Sequence, residues 1–291
     1  MKKTIKITIL SLLIILCPFF LTGCRDDNMD NISIYVTNYA NEYVTKKLYG
    51  DHATINSIYP DGIDINNYKV SKKQKEDYSK ADLFIYNGLI EKERDMAVDL
   101  LDLNPDLKII DSSDVLETDY SPEELWLNPS SLLMMAQNIR IGLEEYISSS
   151  YLKDDIDAAY DKLKITLSEL DANYRLSAEN TNNKKIVVDN SALKYLEKFG
   201  LEVYCIDGDA TDKTLSDVKD LIEDKKINYI YTFKNDKLSD NANEIIKSYP
   251  DIKRQSLNKL DNISDTERSE KKNYETLITE NLDLIKQELY Q

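Results

Sequence analysis

ISIYVTNYANEYVTKKLYGDHATINSIYPDG, residues 32–62, reads as strand, helix, strand and turn. Ile32 to Thr37 alternates and then runs apolar, as a half-buried strand does. Asn38 is placed to cap a helix over Tyr39 to Tyr49, and Gly50 ends it. Ala53 to Tyr59 is a second strand, and Pro60-Asp61-Gly62 is a strong turn signal. A helix between two strands predicts that the strands run parallel, because the chain must cross back over the sheet.

The same alternation continues outward. Lys72 to Lys80 reads as a helix, Ala81 to Tyr86 as a buried strand closed by Asn87-Gly88, Glu91 to Leu101 as a helix, and Leu107 to Ile110 as a fourth strand. Residues 130–146 and 151–177 are two long helical stretches. In the second, Leu152, Ile156, Ala159, Leu163, Leu167 and Leu170 recur at helical spacing. The polar run NTNNKK (180–185) breaks the chain, and alternation restarts. Strands are expected at 186–188, 202–206 and 228–232. Helices are expected at 191–199, 215–224, 239–249 and 266–290. The predicted fold is α/β: two lobes, each a mainly parallel sheet flanked by helices, joined by a long backbone helix. The expected boundaries are 31–146 for the first lobe, 147–180 for the helix and 181–291 for the second lobe.

The start of the chain reads as a secretory leader. Lys2, Lys3 and Lys6 precede an apolar stretch from Ile7 to Phe20, and Leu21-Thr22-Gly23-Cys24 follows. The apolar run is short of the roughly 20 residues that span a bilayer core. The Leu-Thr-Gly-Cys ending resembles a bacterial lipobox. The resemblance implies cleavage after residue 23, acylation of Cys24, and residues 24–30 as a polar tether on the outer face of the cell membrane. Removing 1–23 deletes three lysines and no acids, taking the net charge from -16 to -19. Such an acidic chain argues against nucleic acid and against a polybasic hold on lipid. A monomer is expected. With Cys17 in the leader and Cys24 acylated, Cys205 has no disulfide partner and reads as a core residue.

Several segments together resemble the substrate-binding lipoproteins of zinc and manganese ABC importers. They are Gly50-Asp51-His52 with Tyr59-Pro60, Ala81-Asp-Leu-Phe-Ile-Tyr-Asn-Gly88, Leu125-Trp126-Leu127-Asn128-Pro129, Ala192 to Leu196 with Gly200-Leu201, and Tyr274 with Asn281. The resemblance covers the whole mature chain in order. It implies a non-enzymatic role: capture of a cation between two lobes and delivery to a membrane permease driven by an ATPase.

The ligand positions carry over as a depleted set. By family position, the metal ligands would be Asn66 two before Tyr68, Glu124 two before Trp126, Asn190 opening the Ala-x-x-Tyr-Leu signature, and Asn258 before the last helix. The family set is mostly His, whereas this chain has one histidine, His52, which lies at none of these positions. Zinc or manganese is the cargo implied by family. One carboxylate and three neutral amides suit calcium or magnesium better. Glu123 is an alternative carboxylate if the alignment slips by one residue.

Two further readings stand beside transport. One is a surface interaction or adhesin-like lipoprotein that keeps the fold without metal. The other is a small organic ligand in a cleft lined by Tyr35, Tyr39, Tyr59, Tyr68 and Tyr86. Nucleophilic hydrolysis has few candidates: Ser191 has no His partner, and every glycine is isolated, so no phosphate loop is present.

Overall fold

The computed structural model describes residues 29–290. The leader, Cys24 and most of the tether therefore lie outside the described residues. The first lobe runs β1 (Ile32–Val36), α1 (Tyr39–Tyr49), β2 (Ala53–Ser57), α2 (Lys72–Tyr78), β3 (Leu83–Tyr86), α3 (Glu91–Leu103) and β4 (Lys108–Asp111). Then come α4 (Glu124–Leu127), α5 (Pro129–Tyr146) and the long α6 (Ser150–Glu179). The second lobe runs β5 (Lys185–Val188), a 3-10 helix (Ser191–Phe199), β6 (Glu202–Cys205), α7 (Asp212–Glu223), β7 (Tyr229–Phe233), α8 (Asp240–Ser248), β8 (Lys253–Leu257), α9 (Asp265–Ser269) and α10 (Tyr274–Leu289).

The two sheets share one design. Their strand orders are β2-β1-β3-β4 and β6-β5-β7-β8, and every pairing is parallel. Each sheet reverses its winding between its first and third strands. Crevices for ligands open at such points, beyond the carboxyl ends of the strands.

Side-chain alternation sorts each strand between two faces. Ile34, Val36, Leu83 and Ile85 point into a central cluster, as do Ile186, Val188, Tyr231 and Phe233. Phe84 packs outward with Met96 and Leu100, and Val187 and Ile230 pack outward with Val218 and Ile245. The central cluster is continuous across both lobes. On α6, Leu152, Ile156, Leu163, Leu167 and Tyr174 form its spine, and that helix packs on α1, α5 and α10. Opening the lobes would expose this shared core, so the fold resists a wide hinge.

Gly142 on α5 permits close packing on β4. A Cβ there would sit 2.7 Å from Cγ1 of Ile110. Gly142→Ala gains about 1 kcal/mol of helix propensity but overpacks a filled site at a cost of about 1–3 kcal/mol. A net loss of stability in urea unfolding is the expected result; a gain would mean that Ile110 moves freely.

Three elements differ from expectation. β8 (KRQSL) has no apolar alternation because it is an edge strand, paired only with β7, and its Lys253 and Arg254 face water. Residues 191–199 wind as a 3-10 helix, which eclipses residues three apart. Leu193, Leu196 and Phe199 have that spacing and are all buried. The last helical stretch breaks in two: Lys271 adopts φ 58, and Asn273 caps α10 by accepting from the Thr276 N–H. Asn38 caps α1 as expected, accepting from the Asn41 N–H at 2.9 Å. Cys205 is a half-buried free thiol packed against the core. Burial pushes its pKa up to about 12.

Candidate functional site

The loops after β2, β7 and β8 meet where the lobes face each other. They enclose a cavity of about 400 Å3, lined by Asp64, Asn66 and Asn67 from the first lobe and by Lys234, Asp236, Asn258 and Lys259 from the second. Local chemistry fixes each wall. Asp64 accepts from the Asn66 N–H at 3.0 Å, an Asx turn. The side-chain hydrogen bond from Asn67 also helps hold the Asp64 carboxyl below the ordinary range. Asn258 is locked to Asn281 of α10: its N–H donates to Asn281 Oδ1 at 2.7 Å, and Asn281 Nδ2 donates back to its carbonyl at 2.8 Å.

The strap from Asn258 to Ser264 closes the floor. Leu260 within it holds φ 63, a strained position for a branched side chain. Backbone contacts pin the strap on both sides of that residue. The Trp126 indole N–H donates to the Lys259 carbonyl at 2.9 Å, and the Tyr39 N–H donates to the Asp261 carbonyl at 2.8 Å. The Gly62 N–H donates to the Ile263 carbonyl at 2.9 Å.

The candidate ligands divide. Asn66, exposed, and Asn258, buried, line this cavity together. Asn190 caps the 3-10 helix through Oδ1, and its Nδ2 donates to Asp236 Oδ2 at 3.3 Å, so it touches the cavity wall from behind. Glu124 does not line the cavity. It is fully buried and faces the Lys198 ammonium at 3.0 Å. Its neighbour Glu123 lies 3.8 Å from Lys259. Burial works against the Lys259 ammonium, but Asp261, Glu123 and Asp236 outweigh it and leave its pKa raised.

None of the cavity's four carboxylates was singled out from the sequence, Asp64 and Asp236 among them. The available signal for these two was position, since each sits in an Asn-rich polar loop shortly after a strand end. The tyrosine cluster is absorbed in packing. Tyr39 and Tyr59 are buried, and Tyr35 meets Tyr78 with ring centroids 4.6 Å apart. None of the five lines this cavity. His52 lies elsewhere, with Nδ1 3.2 Å from Asp30 and Nε2 3.5 Å from Asp155.

The profile of the zinc-uptake complex component A, periplasmic, matches residues 34–288. The chain belongs to this family. A curated relative, the zinc-binding lipoprotein AdcA of Streptococcus pneumoniae (strain ATCC BAA-255 / R6), is 25% identical over 304 residues, covering 95% of this chain and 60% of the relative. The chain thus spans about 60% of that protein's length. Among solved structures, the Zn(II)-bound ZnuA-like domain of Streptococcus pneumoniae AdcA superposes with a TM-score of 0.72 at 23% identity, covering 90% of this chain and 100% of that one. The laminin binding protein of Streptococcus agalactiae, described as bifunctional with adhesin and metal transporting activity, superposes with a TM-score of 0.73 at 22% identity, covering 89% and 100%. These two likenesses establish the fold.

The residues of this family member do not fit a zinc ion. Among the described residues no group of three or more His, Cys, Asp or Glu side chains is placed to hold a metal. Zinc sites use convergent imidazole, thiolate or carboxylate donors at about 2.0–2.3 Å. Here the cavity offers amide and carboxylate oxygens that stand apart. Also among the described residues, no helix is long and apolar enough to cross a membrane.

Proposed function

We propose that this chain is the substrate-binding component of a metal-type ABC importer, anchored outside the membrane through acylated Cys24 and presenting its interlobe cavity to a permease and its ATPase. The observation that carries the reading is the family match over 34–288, on a two-lobe fold whose loops after β2, β7 and β8 line one cavity. The cargo we assign is a hydrated hard cation of the calcium or magnesium class. The lining holds four carboxylates (Asp64, Asp236, Asp261, Glu267) and two ammoniums (Lys234, Lys259), a formal charge of -2. Oxygen donors of this kind suit hard ions. Their spread, in a space of about 400 Å3, suits an ion that keeps much of its water shell, as magnesium does.

Thermal unfolding of the purified protein with calcium, magnesium, manganese and zinc tests this. At a hundredfold excess over the dissociation constant, binding stabilises by about 2.7 kcal/mol, a Tm rise of roughly 5–10 °C in a chain of this size. Asp64→Asn with Asp236→Asn should abolish the rise. A response to zinc alone, or one untouched by the double variant, sinks the cargo assignment. The adhesin-like alternative is favoured by the missing histidines and the engaged state of Glu124. It becomes the better reading if no ion shifts the melting point.

A further inference from the structure

Glu124 is a fully buried carboxylate at the seam between the lobes. One oxygen accepts from the backbone N–H groups of Ser121, at 2.9 Å, and Tyr120. The other faces the Lys198 ammonium at 3.0 Å. Lys198 comes from the opposite lobe, near the end of the 3-10 helix. Asp119 stands 3.4 Å from the same ammonium. The loop that carries these acids is fastened to that helix twice more: the Tyr120 hydroxyl donates to Glu197, and the Lys194 ammonium lies 4.1 Å from the centre of the Tyr120 ring.

The pattern recurs along the seam. Lys259 of the second lobe faces Glu123 of the first. Arg268 of the second lobe reaches Glu42 at 2.8 Å and also pairs with Asp61. Lys47 with Glu275 runs the other way. A buried carboxylate is tolerated only with a counter-charge and filled hydrogen-bond positions. At Glu124 two backbone N–H groups fill Oε1, while Oε2 makes no hydrogen bond and has only the Lys198 ammonium as counter-charge.

We propose that Lys198 is a specificity-determining residue: a built-in cation that occupies Glu124, bridges the lobes there and shuts this carboxylate to divalent ions. The proposal rests on the importer reading only in treating the interlobe region as cation-facing. It concerns Glu124, whereas the cargo assignment concerns Asp64 and Asp236. Its consequence is that the charged donors left for cargo are those of the cavity, without Glu124, the carboxylate at a family ligand position.

The test compares the wild-type protein with Lys198→Met, Glu124→Gln and the double variant, melting each in chelator and then with calcium, magnesium, manganese or zinc. Met keeps the bulk of the lysine stem without its charge. Lys198→Met should lower the Tm in chelator by roughly 10 °C, the cost of a buried unpaired charge. It should then gain a divalent-cation response added to any that wild type shows. The double variant should recover the Tm in chelator and show no added response. Glu124→Gln alone should leave any wild-type cation response unchanged.

The proposal is overturned if Lys198→Met melts within a few degrees of wild type, or gains no response to any ion. It is also overturned if Glu124→Gln removes a response that wild type has. Where Lys198→Met is too unstable to purify, Lys198→Gln, which keeps an N–H donor without the charge, gives the same comparison. Absence of any wild-type response, with the gain in Lys198→Met intact, sinks the cargo reading and leaves this one standing.

Discussion

Trp126→Ala is expected to lower the unfolding free energy by about 3–5 kcal/mol. Trp126 is 2% exposed and packs in the core shared by both lobes. Its indole N–H donates to the Lys259 carbonyl at 2.9 Å, and its own carbonyl accepts from the Tyr274 hydroxyl at 2.7 Å. Truncation opens a cavity, orphans the Lys259 carbonyl, and releases one of the two contacts that hold Leu260 in its strained backbone region. The cavity cost and the orphaned acceptor act in the same direction. Trp126 is the single tryptophan of the chain, so its fluorescence disappears in the variant, and urea unfolding is followed by circular dichroism instead. A loss under about 1 kcal/mol, at the scale of an ordinary surface change, would mean that the seam does not depend on this side chain.

The second large effect is a fall in stability as pH rises from about 4.5 to above 7. Burial pushes the Glu93 carboxyl up to about 7, against hydrogen bonds from Thr37, the Asn87 N–H and Asn38 that pull it down. Burial does the same to Glu288, against the N–H groups of Asn228 and Tyr229. Both folded-state values lie above the ordinary value of 4.5. The folded protein therefore binds more protons than the unfolded chain between about 4.5 and 7, and it loses stability as those protons leave.

A shift of that size is worth roughly 3 kcal/mol for each group once pH exceeds the folded value. Carboxyls whose pKa is lowered work the other way and act only below about pH 4.5. Glu267 is one: burial opposes the shift, but the Ser264 and Lys234 hydrogen bonds outweigh it. Stability should therefore peak near pH 5 and be lower at pH 8. Urea midpoints across pH 4–8 check this, and Glu93→Gln should flatten the slope by about half. A protein more stable at pH 8 than at pH 5 would refute the account.

The legible part of the fold was the part carried by local periodicity. Residues 32–62 gave strand, capped helix and strand because apolar spacing and the Asn38 cap are properties of neighbours along the chain. β8 escaped because an edge strand need not alternate, and its charged side chains serve to keep other edges away. The break before α10 escaped because Lys271 at φ 58 carries no composition signal. At the site, the family resemblance singled out Asn66 and Asn258, and both line the cavity. It also singled out Glu124, but could not reveal that a lysine 74 positions later would claim it.

The sequence by itself determined two parallel α/β lobes, a long joining helix, an acidic surface and a histidine-poor cleft, because these follow from residue type and short-range spacing. Only the tertiary structure decided which charges meet. Glu123 with Lys259 and Glu124 with Lys198 are encounters across the seam between residues far apart in the chain. Ion pairing depends on distance in space and on exclusion of water, neither of which a linear pattern records.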